Sequence, residues 1–156
     1  MKITRTMLAA GAVWLTTAVV VLAANPHLGT WKLNESKSKL APGGSKNKTV
    51  SYTEAKNGMI KVTVEGVDKD GKSIHWTWEG KFDGKSYKAK SNSEFDMLAL
   101  KPVNDRTNSL SGTKDGKVVA TGTITVAKDG KSRVVSTTDT DANGKKVTDK
   151  AYYDKE

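Results

Sequence analysis

The sequence contains no cysteine in its 156 residues. Disulfide bonds, cysteine nucleophiles and thiolate metal sites are therefore excluded, as is membrane anchoring through a lipid-modified cysteine. A single domain of this length is large enough to bury about two-thirds of its unfolded surface. Without covalent staples, its stability has to come from a hydrophobic core or from a closed sheet.

Arginine is also scarce, because only three of the 26 basic residues are arginines, against 17 acidic residues and a net charge of +9. Proteins that read nucleic acids use arginine forks and aromatic stacking, and here the charge is mostly lysine scattered along the chain. We therefore expect a solvated lysine surface and no specific nucleic-acid partner. Weak contact with anionic envelope polymers is the second interpretation of this charge.

Histidine is limited to His27 and His75. His75 and Glu79 are about 13 Å apart if they lie on one strand at about 3.3 Å per residue, so they cannot pair directly. Two distant histidines form neither a catalytic triad nor a multi-histidine metal site. No carboxylate pair is marked by its spacing, and we expect a protein that is not an enzyme.

One stretch, DTDANGKKVTDK (139–150), begins with the oxygen-ligand spacing of a calcium loop. The bidentate glutamate expected at its twelfth position is replaced by Lys150, and no helices flank it. We interpret the stretch as a hairpin turn at Asn143 and Gly144. The sequence therefore predicts no metal ion and no cofactor.

The chain has one long apolar run, from Met7 to Val21, which follows Lys2 and Arg5 and precedes small residues at 23 and 24. This order predicts a secretory signal peptide over residues 1–24, with cleavage after residue 23 or 24. A retained membrane anchor is the alternative, but the run is shorter than the roughly 20 residues that span a bilayer. We expect one mature domain, 25–156, in the periplasm or secreted, with no transmembrane span after cleavage.

Tight-turn dipeptides punctuate the mature chain at intervals of about 13 residues. Asn-Gly and Asp-Gly pairs tolerate the positive φ angles that hairpins require. Two further turns fit into the one long interval, near SNSE (91–94) and NDRTN (104–108), which makes about ten strands. The six pairs begin at Asn57, Asp70, Asp83, Asp115, Asp129 and Asn143.

Parity fixes the register of the first hairpins, because a slip of one residue moves every side chain to the other face. A three-residue loop at 69–71 places Val62 opposite Trp78, whereas a two-residue loop would bury Glu65 against Trp76 at a cost of several kcal/mol. The same logic places Leu110 and Val134 on the side of Ile124. The apolar face predicted for the first strands contains Val50, Tyr52, Ile60, Val62, Val64, Ile74, Trp76 and Trp78.

No stretch after residue 25 shows sustained helical periodicity. A ten-stranded meander with one apolar face has to close into a barrel, fold into a sandwich or leave open edges that invite aggregation. Gly66, Gly80 and Gly122 fall on the apolar face, where missing side chains permit the coiling that closure needs. We predict an all-β, antiparallel up-and-down meander closed into a barrel.

The stretches LGTWKL (28–33) and AYYDKE (151–156) resemble the first and last strands of the calycins, the superfamily of lipocalins and fatty-acid-binding proteins. The chain resembles exported bacterial lipocalin-like proteins more closely than either animal branch. This resemblance implies a calycin-like barrel in which Gly29 permits a tight approach and Trp31 plugs the floor, with Lys150 as the basic residue against Trp31. The paired lid helices and the arginine-x-tyrosine of the fatty-acid-binding branch are missing.

Two functions follow from a barrel of this kind. The first is non-covalent binding of a small hydrophobic or amphipathic molecule in the barrel interior. The alternative is a non-catalytic envelope or extracellular interaction module with a solid barrel and a lysine-rich surface. For the first, the predicted ligand-binding residues are Ile60, Val62, Ile74, Trp76 and Trp78.

Overall fold

A computed structural model describes residues 24–140 and 143–156, and it shows ten antiparallel strands in one closed barrel. Each strand pairs with the next along the chain, and the first strand closes against the last. The predicted all-β meander is confirmed. All but the last residue of the predicted signal peptide lies outside the described residues. The strands are β1 (Gly29–Leu33), β2 (Lys46–Glu54), β3 (Ile60–Val67), β4 (Ser73–Gly80), β5 (Ser86–Lys90), β6 (Met97–Asn104), β7 (Thr107–Lys114), β8 (Lys117–Val126), β9 (Ser132–Thr140) and β10 (Lys146–Lys155).

Helix is nearly absent from the described part of the chain, where a single 3₁₀ turn, Lys56–Gly58, joins β2 to β3. None of the helices found in that part is long and apolar enough to cross a membrane. Residues 34–45 connect β1 to β2. They run beside β10 through a bridge between Lys39 and Lys150, and Leu40 packs against the core.

The register predicted for the first hairpins is confirmed. Val62 pairs with Tyr52 on one side and with Trp78 on the other. The turns adopt the expected left-handed backbone, with φ of 59° at Asn57 and 69° at Gly58. Tight turns of known length therefore placed one face of β2, β3 and β4 inside the barrel.

The register predicted for β9 is wrong by one residue. Ile124 pairs with Val135, and Val134 lies on the outer side opposite Thr125. The loop after β8 has four residues, 128–131, because the Ala127 N–H donates to the carbonyl of Ser132. That one additional residue reverses the parity of the strand and places Arg133 inside the barrel.

Two inward glycines allow neighbouring strands to approach closely. A Cβ on Gly66 would collide with the backbone carbonyl of Lys46, and a Cβ on Gly122 would collide with that of Ser136. Neither glycine has a left-handed φ. The closeness of the backbones, not conformational freedom, therefore requires glycine at these two positions.

We predict that Gly66→Ala destabilises the barrel by about 2 kcal/mol, because the strand backbone has to move to admit a methyl group. Gly44→Ala is the matched control, since its methyl group would lie 3.6 Å from the nearest carbonyl oxygen, an ordinary contact. Urea unfolding of both variants measures the difference. Equal midpoints for the two variants would contradict the close approach at Gly66.

Candidate functional site

Trp31 closes one end of the barrel, which we call the closed end. Its ring is 0% exposed, and its indole Nε1 donates to the carbonyl oxygen of His27 at 2.9 Å. β1 enters the barrel at Gly29, whose φ of 114° is left-handed, and a side chain there would strike the Lys155 Cε. The start of β1 is therefore fixed by a glycine, an indole and the turn that precedes them.

Arg133 packs against Trp31 inside the barrel. Its guanidinium carbon lies 4.8 Å from the Trp31 ring centroid and 4.9 Å from those of Tyr52 and Tyr153, and the residue is 2% exposed. Its Nε and Nη1 atoms have no hydrogen-bond partner among the described residues. The cation lies over three aromatic rings, and a desolvated cation–π interaction is worth about 2 kcal/mol.

Lys150, the basic residue that the resemblance placed against Trp31, lies elsewhere. Its ammonium is 5.4 Å from the Tyr152 ring, whereas the Lys155 ammonium lies 5.0 Å from the Trp31 ring. The side chain of residue 150 points outward because the neighbouring Ala151 faces the core. Arg133 was missed because its inward position depends on the length of the preceding loop.

Tyr153 provides no negative charge to balance Arg133. Burial raises the pKa of Tyr153 to about 12, and the smaller effect of Arg133 opposes that rise. The phenol is neutral and donates a hydrogen bond to the carbonyl of Asn47 at 2.9 Å. The closed end therefore keeps a net positive charge in its interior.

His27 lies next to this charge. Its ring is 3% exposed, it meets the Phe82 ring edge-on at 5.8 Å, and neither ring nitrogen has a hydrogen-bond partner among the described residues. Burial, and secondarily the charges of Arg133 and Lys155, lower the pKa of His27 to about 4. The imidazole is therefore neutral at pH 7.

His27 also lines a cleft of about 450 Å³ on the outer side of the closed end. Asn108 lines the same cleft, is 2% exposed, and has an amide nitrogen without a partner among the described residues. Phe82 provides an aromatic wall, and Asp105 stands on the exposed rim. The remaining lining residues are Ala24, Asn25, Pro26, Pro102, Val103 and Asn104.

The centre of the barrel is filled by side chains. Trp78 is 1% exposed, stacks on Phe82 with ring centroids 6.4 Å apart, and donates from its Nε1 to the carbonyl of Leu98 at 2.9 Å. Val62 and Ile60 pack into the same core. These three predicted ligand residues line neither the cleft at the closed end nor the pocket at the other end.

The other two predicted ligand residues, Ile74 and Trp76, line a pocket of about 300 Å³ at the opposite end of the barrel, which we call the open end. The Trp76 ring meets the Phe95 ring edge-on at 5.5 Å. The other lining residues are Gly43, Gly44, Ser45, Asp68, Lys69, Ser91, Asn92, Ser93 and Glu94. The pocket thus has an apolar floor and a polar rim.

Acidic groups gather near the open end. Asp139 lies on the inner side of β9, and burial, then the charges of Glu94 and Asp149, raise its pKa to about 6. Asp149 accepts a hydrogen bond from the backbone N–H of Ala41.

Within residues 24–140 and 143–156, no three histidine, cysteine or acidic side chains form a group able to hold a metal ion. Asp141, one position of the calcium-like spacing, lies outside the described residues.

His27 gives a prediction on acid stability. Between pH 6.5 and about 4 the unfolded chain binds a proton at this residue and the folded chain does not, so stability falls as the pH falls. We expect His27→Gln to reduce the loss of unfolding free energy between pH 7 and pH 4.5. His75→Gln, at an exposed histidine, keeps the wild-type loss. An unchanged loss in His27→Gln would disprove the assignment.

Asp139 gives a prediction of the opposite sign. Its folded pKa lies above the ordinary value of 3.8, so the charged form destabilises the fold at pH values above about 6. We expect Asp139→Asn to raise the unfolding free energy at pH 7.5 by about 1 kcal/mol after solvent screening, and by less at pH 4. Asp70→Asn, in an exposed turn, is the control. A gain that does not depend on pH would contradict the proposed cause.

No family model matches the chain. No curated protein matches it either. Among solved structures, the chain is similar to a redesigned beta barrel, mFAP1, bound to DFHBI, with 16% identity and a TM-score of 0.44. The match covers 86% of this chain and 98% of that one. So distant a likeness carries no argument about the site, and the closed barrel is established by its own strand pairing.

Proposed function

We propose that the chain is an exported calycin-like barrel, nearest to the exported bacterial lipocalin-like proteins, that binds a small apolar or amphipathic molecule without catalysis. The observation that carries this proposal is the pocket of about 300 Å³ whose floor is formed by Ile74 and Trp76. The LGTWKL stretch supports the relationship, and so does the packing of Lys155, a basic residue of the last strand, on the Trp31 ring. One closed end and one open end suit a binding barrel.

The rim of the pocket favours certain ligands. Asp68 and Glu94 line it, and the charge of Glu94 acts on Asp139. Among the described residues, Lys69 is the one cation in the lining. A ligand carboxylate would be repelled by this rim, whereas neutral or cationic head groups would not. The proposed ligand is therefore a neutral or cationic amphiphile with its apolar part over Trp76.

The residues that line the open-end pocket favour ligand binding without a catalysed reaction. Ser45 donates a hydrogen bond to Glu94, but no histidine lies in the pocket, and His75 is on the outer face near Glu65. A serine needs a base that is itself oriented by a third group before it acts as a nucleophile. Shape and burial remain as the means of recognition.

The test is saturable uptake of a neutral, environment-sensitive fluorescent probe with quenching of tryptophan emission. We expect Ile74→Lys to weaken uptake at least about tenfold, because it places a charge on the apolar floor. Val103→Lys, at a 61% exposed residue of the closed-end cleft, should leave uptake unchanged. Loss of uptake in both variants, or no saturation across several probe lengths, would disprove the binding site.

A second candidate function is an envelope interaction module with a solid barrel. It is favoured by the filled centre, where Val64, Trp78, Leu100 and Val126 are each at most 1% exposed. In this case a soluble polyanion would bind with strong salt dependence and would leave tryptophan emission unchanged. The fluorescent probe would not saturate.

Localisation is tested separately. We propose that residues 1–24 are removed on export, which places the mature chain in the periplasm or outside the cell. Intact mass measured on the protein from each cell fraction should correspond to cleavage after residue 23 or 24. A full-length mass in the cytoplasmic fraction would contradict export.

A further inference from the structure

The cleft at the closed end contains buried donors that the proposed function leaves unused. Asn108 and His27 line the cleft and are 2% and 3% exposed, and their buried side-chain nitrogen atoms include three without a hydrogen-bond partner among the described residues. Buried polar groups in folded proteins are nearly always hydrogen-bonded, because an unpaired donor loses its solvation without compensation. Two such groups in the wall of one cleft indicate a ligand with acceptor oxygens.

The charges around the cleft favour an anion. Burial is the main cause of the lowered pKa of His27, and the charges of Arg133 and Lys155 lower it further. No salt bridge to either cation is found among the described residues. Arg106 lies near the rim and donates to the carbonyl of Val126. Of the described residues that line the cleft, Asp105 is the one with an acidic side chain, and it is exposed. The interior field at the bottom of the cleft is therefore positive.

The lining also contains apolar surface. Phe82 forms one wall, and Pro102 and Val103 form another, with Val103 61% exposed. A hydrated inorganic anion would gain nothing from these side chains, whereas an organic acid would cover them.

We propose that the closed-end cleft binds a small organic carboxylate, whose oxygens accept hydrogen bonds from the Asn108 amide and the His27 ring and whose apolar part lies against Phe82. This site is separate from the open-end pocket and does not depend on the proposed function. Neutral imidazole offers one donor, and its protonated form offers two. Bound carboxylate therefore favours protonation of His27, and binding strengthens as the pH falls toward 5.

The test uses the two histidines as internal probe and reference. Ring signals of His27 and His75 are followed by ¹H–¹⁵N correlation spectra of the whole chain during titration with sodium benzoate at constant ionic strength. We expect saturable shifts at His27, an upward displacement of its titration midpoint, and no change at His75, which is exposed on β4 and does not line the cleft. Equal responses at the two histidines, or no saturation at His27, would overturn the proposal.

Two further titrants define the ligand class. Benzamide has the shape of benzoate without its charge, and inorganic phosphate has charge without an apolar part. We expect each to bind at least about tenfold more weakly than benzoate, since each lacks one of the two interactions. Benzamide binding as well as benzoate would show a merely apolar cleft, and phosphate binding as well as benzoate would show a general anion site. Either result would overturn the proposal.

Two substitutions should act in opposite directions. Asn108→Leu removes a donor but keeps the volume, and we expect benzoate affinity to fall about tenfold. Asp105→Asn removes the rim carboxylate, and we expect affinity to rise about twofold. If Asn108→Leu does not fold, the affinity of Asp105→Asn and the comparison of benzoate with benzamide still test the proposed carboxylate site. Unchanged affinity in Asp105→Asn together with unchanged affinity in Asn108→Leu would overturn the proposal.

Discussion

The packing of a buried cation on an indole determines how this barrel ends. Arg133 lies over Trp31 with Tyr52 and Tyr153 on its other sides, and the described residues offer it no acidic partner. A guanidinium cannot be deprotonated in a protein, so its charge has to be accommodated by the rings. That requirement holds the start of β1, the end of β2 and the two last strands together, and it leaves the interior of the closed end too crowded for a ligand.

Closure at one end explains where space remains. The side chains between the ends interdigitate around Trp78 and Leu100, so the barrel has no continuous interior channel in its described part. Space is left only where the strands diverge or where loops meet. The two depressions differ in chemistry because one lies near the interior cations Arg133 and Lys155 and the other is lined by Asp68 and Glu94.

Much of the fold was predictable from the sequence because its turns are short and chemically explicit. Asn57-Gly58 and Asp70-Gly71 fixed loop lengths, and loop length fixed which side chains of β3 and β4 point inward. The prediction failed at β9, where a four-residue loop changed parity and exchanged Val134 for Arg133. The hydrophobic pattern favours valine inside the barrel and arginine on its surface. The rings of Trp31, Tyr52 and Tyr153 reverse that preference because they surround the guanidinium.

The candidate sites were less predictable because they depend on the positions of the barrel ends. Ile74 and Trp76 share a face with Val62 and Trp78, and the sequence pattern does not distinguish a residue at the rim from one at the centre. His27 lies before the first strand, so the alternation of inward and outward side chains along a strand does not predict whether it is buried. Its burial follows from the hydrogen bond that its carbonyl accepts from Trp31, a contact between side chain and backbone that hydrophobic patterning does not report.

The separation of Arg133 from Asp139 along β9 has an electrical consequence. The two residues occupy inward positions of the same strand, six residues apart, which is about 20 Å at the usual rise. One charge is permanent, while the other is lost when the carboxyl takes up a proton near pH 6. The inner face of the barrel therefore has an electric dipole along the barrel axis, with Arg133 at its positive end and Asp139 at its negative end. When acidification neutralises Asp139, the charge of Arg133 is no longer balanced.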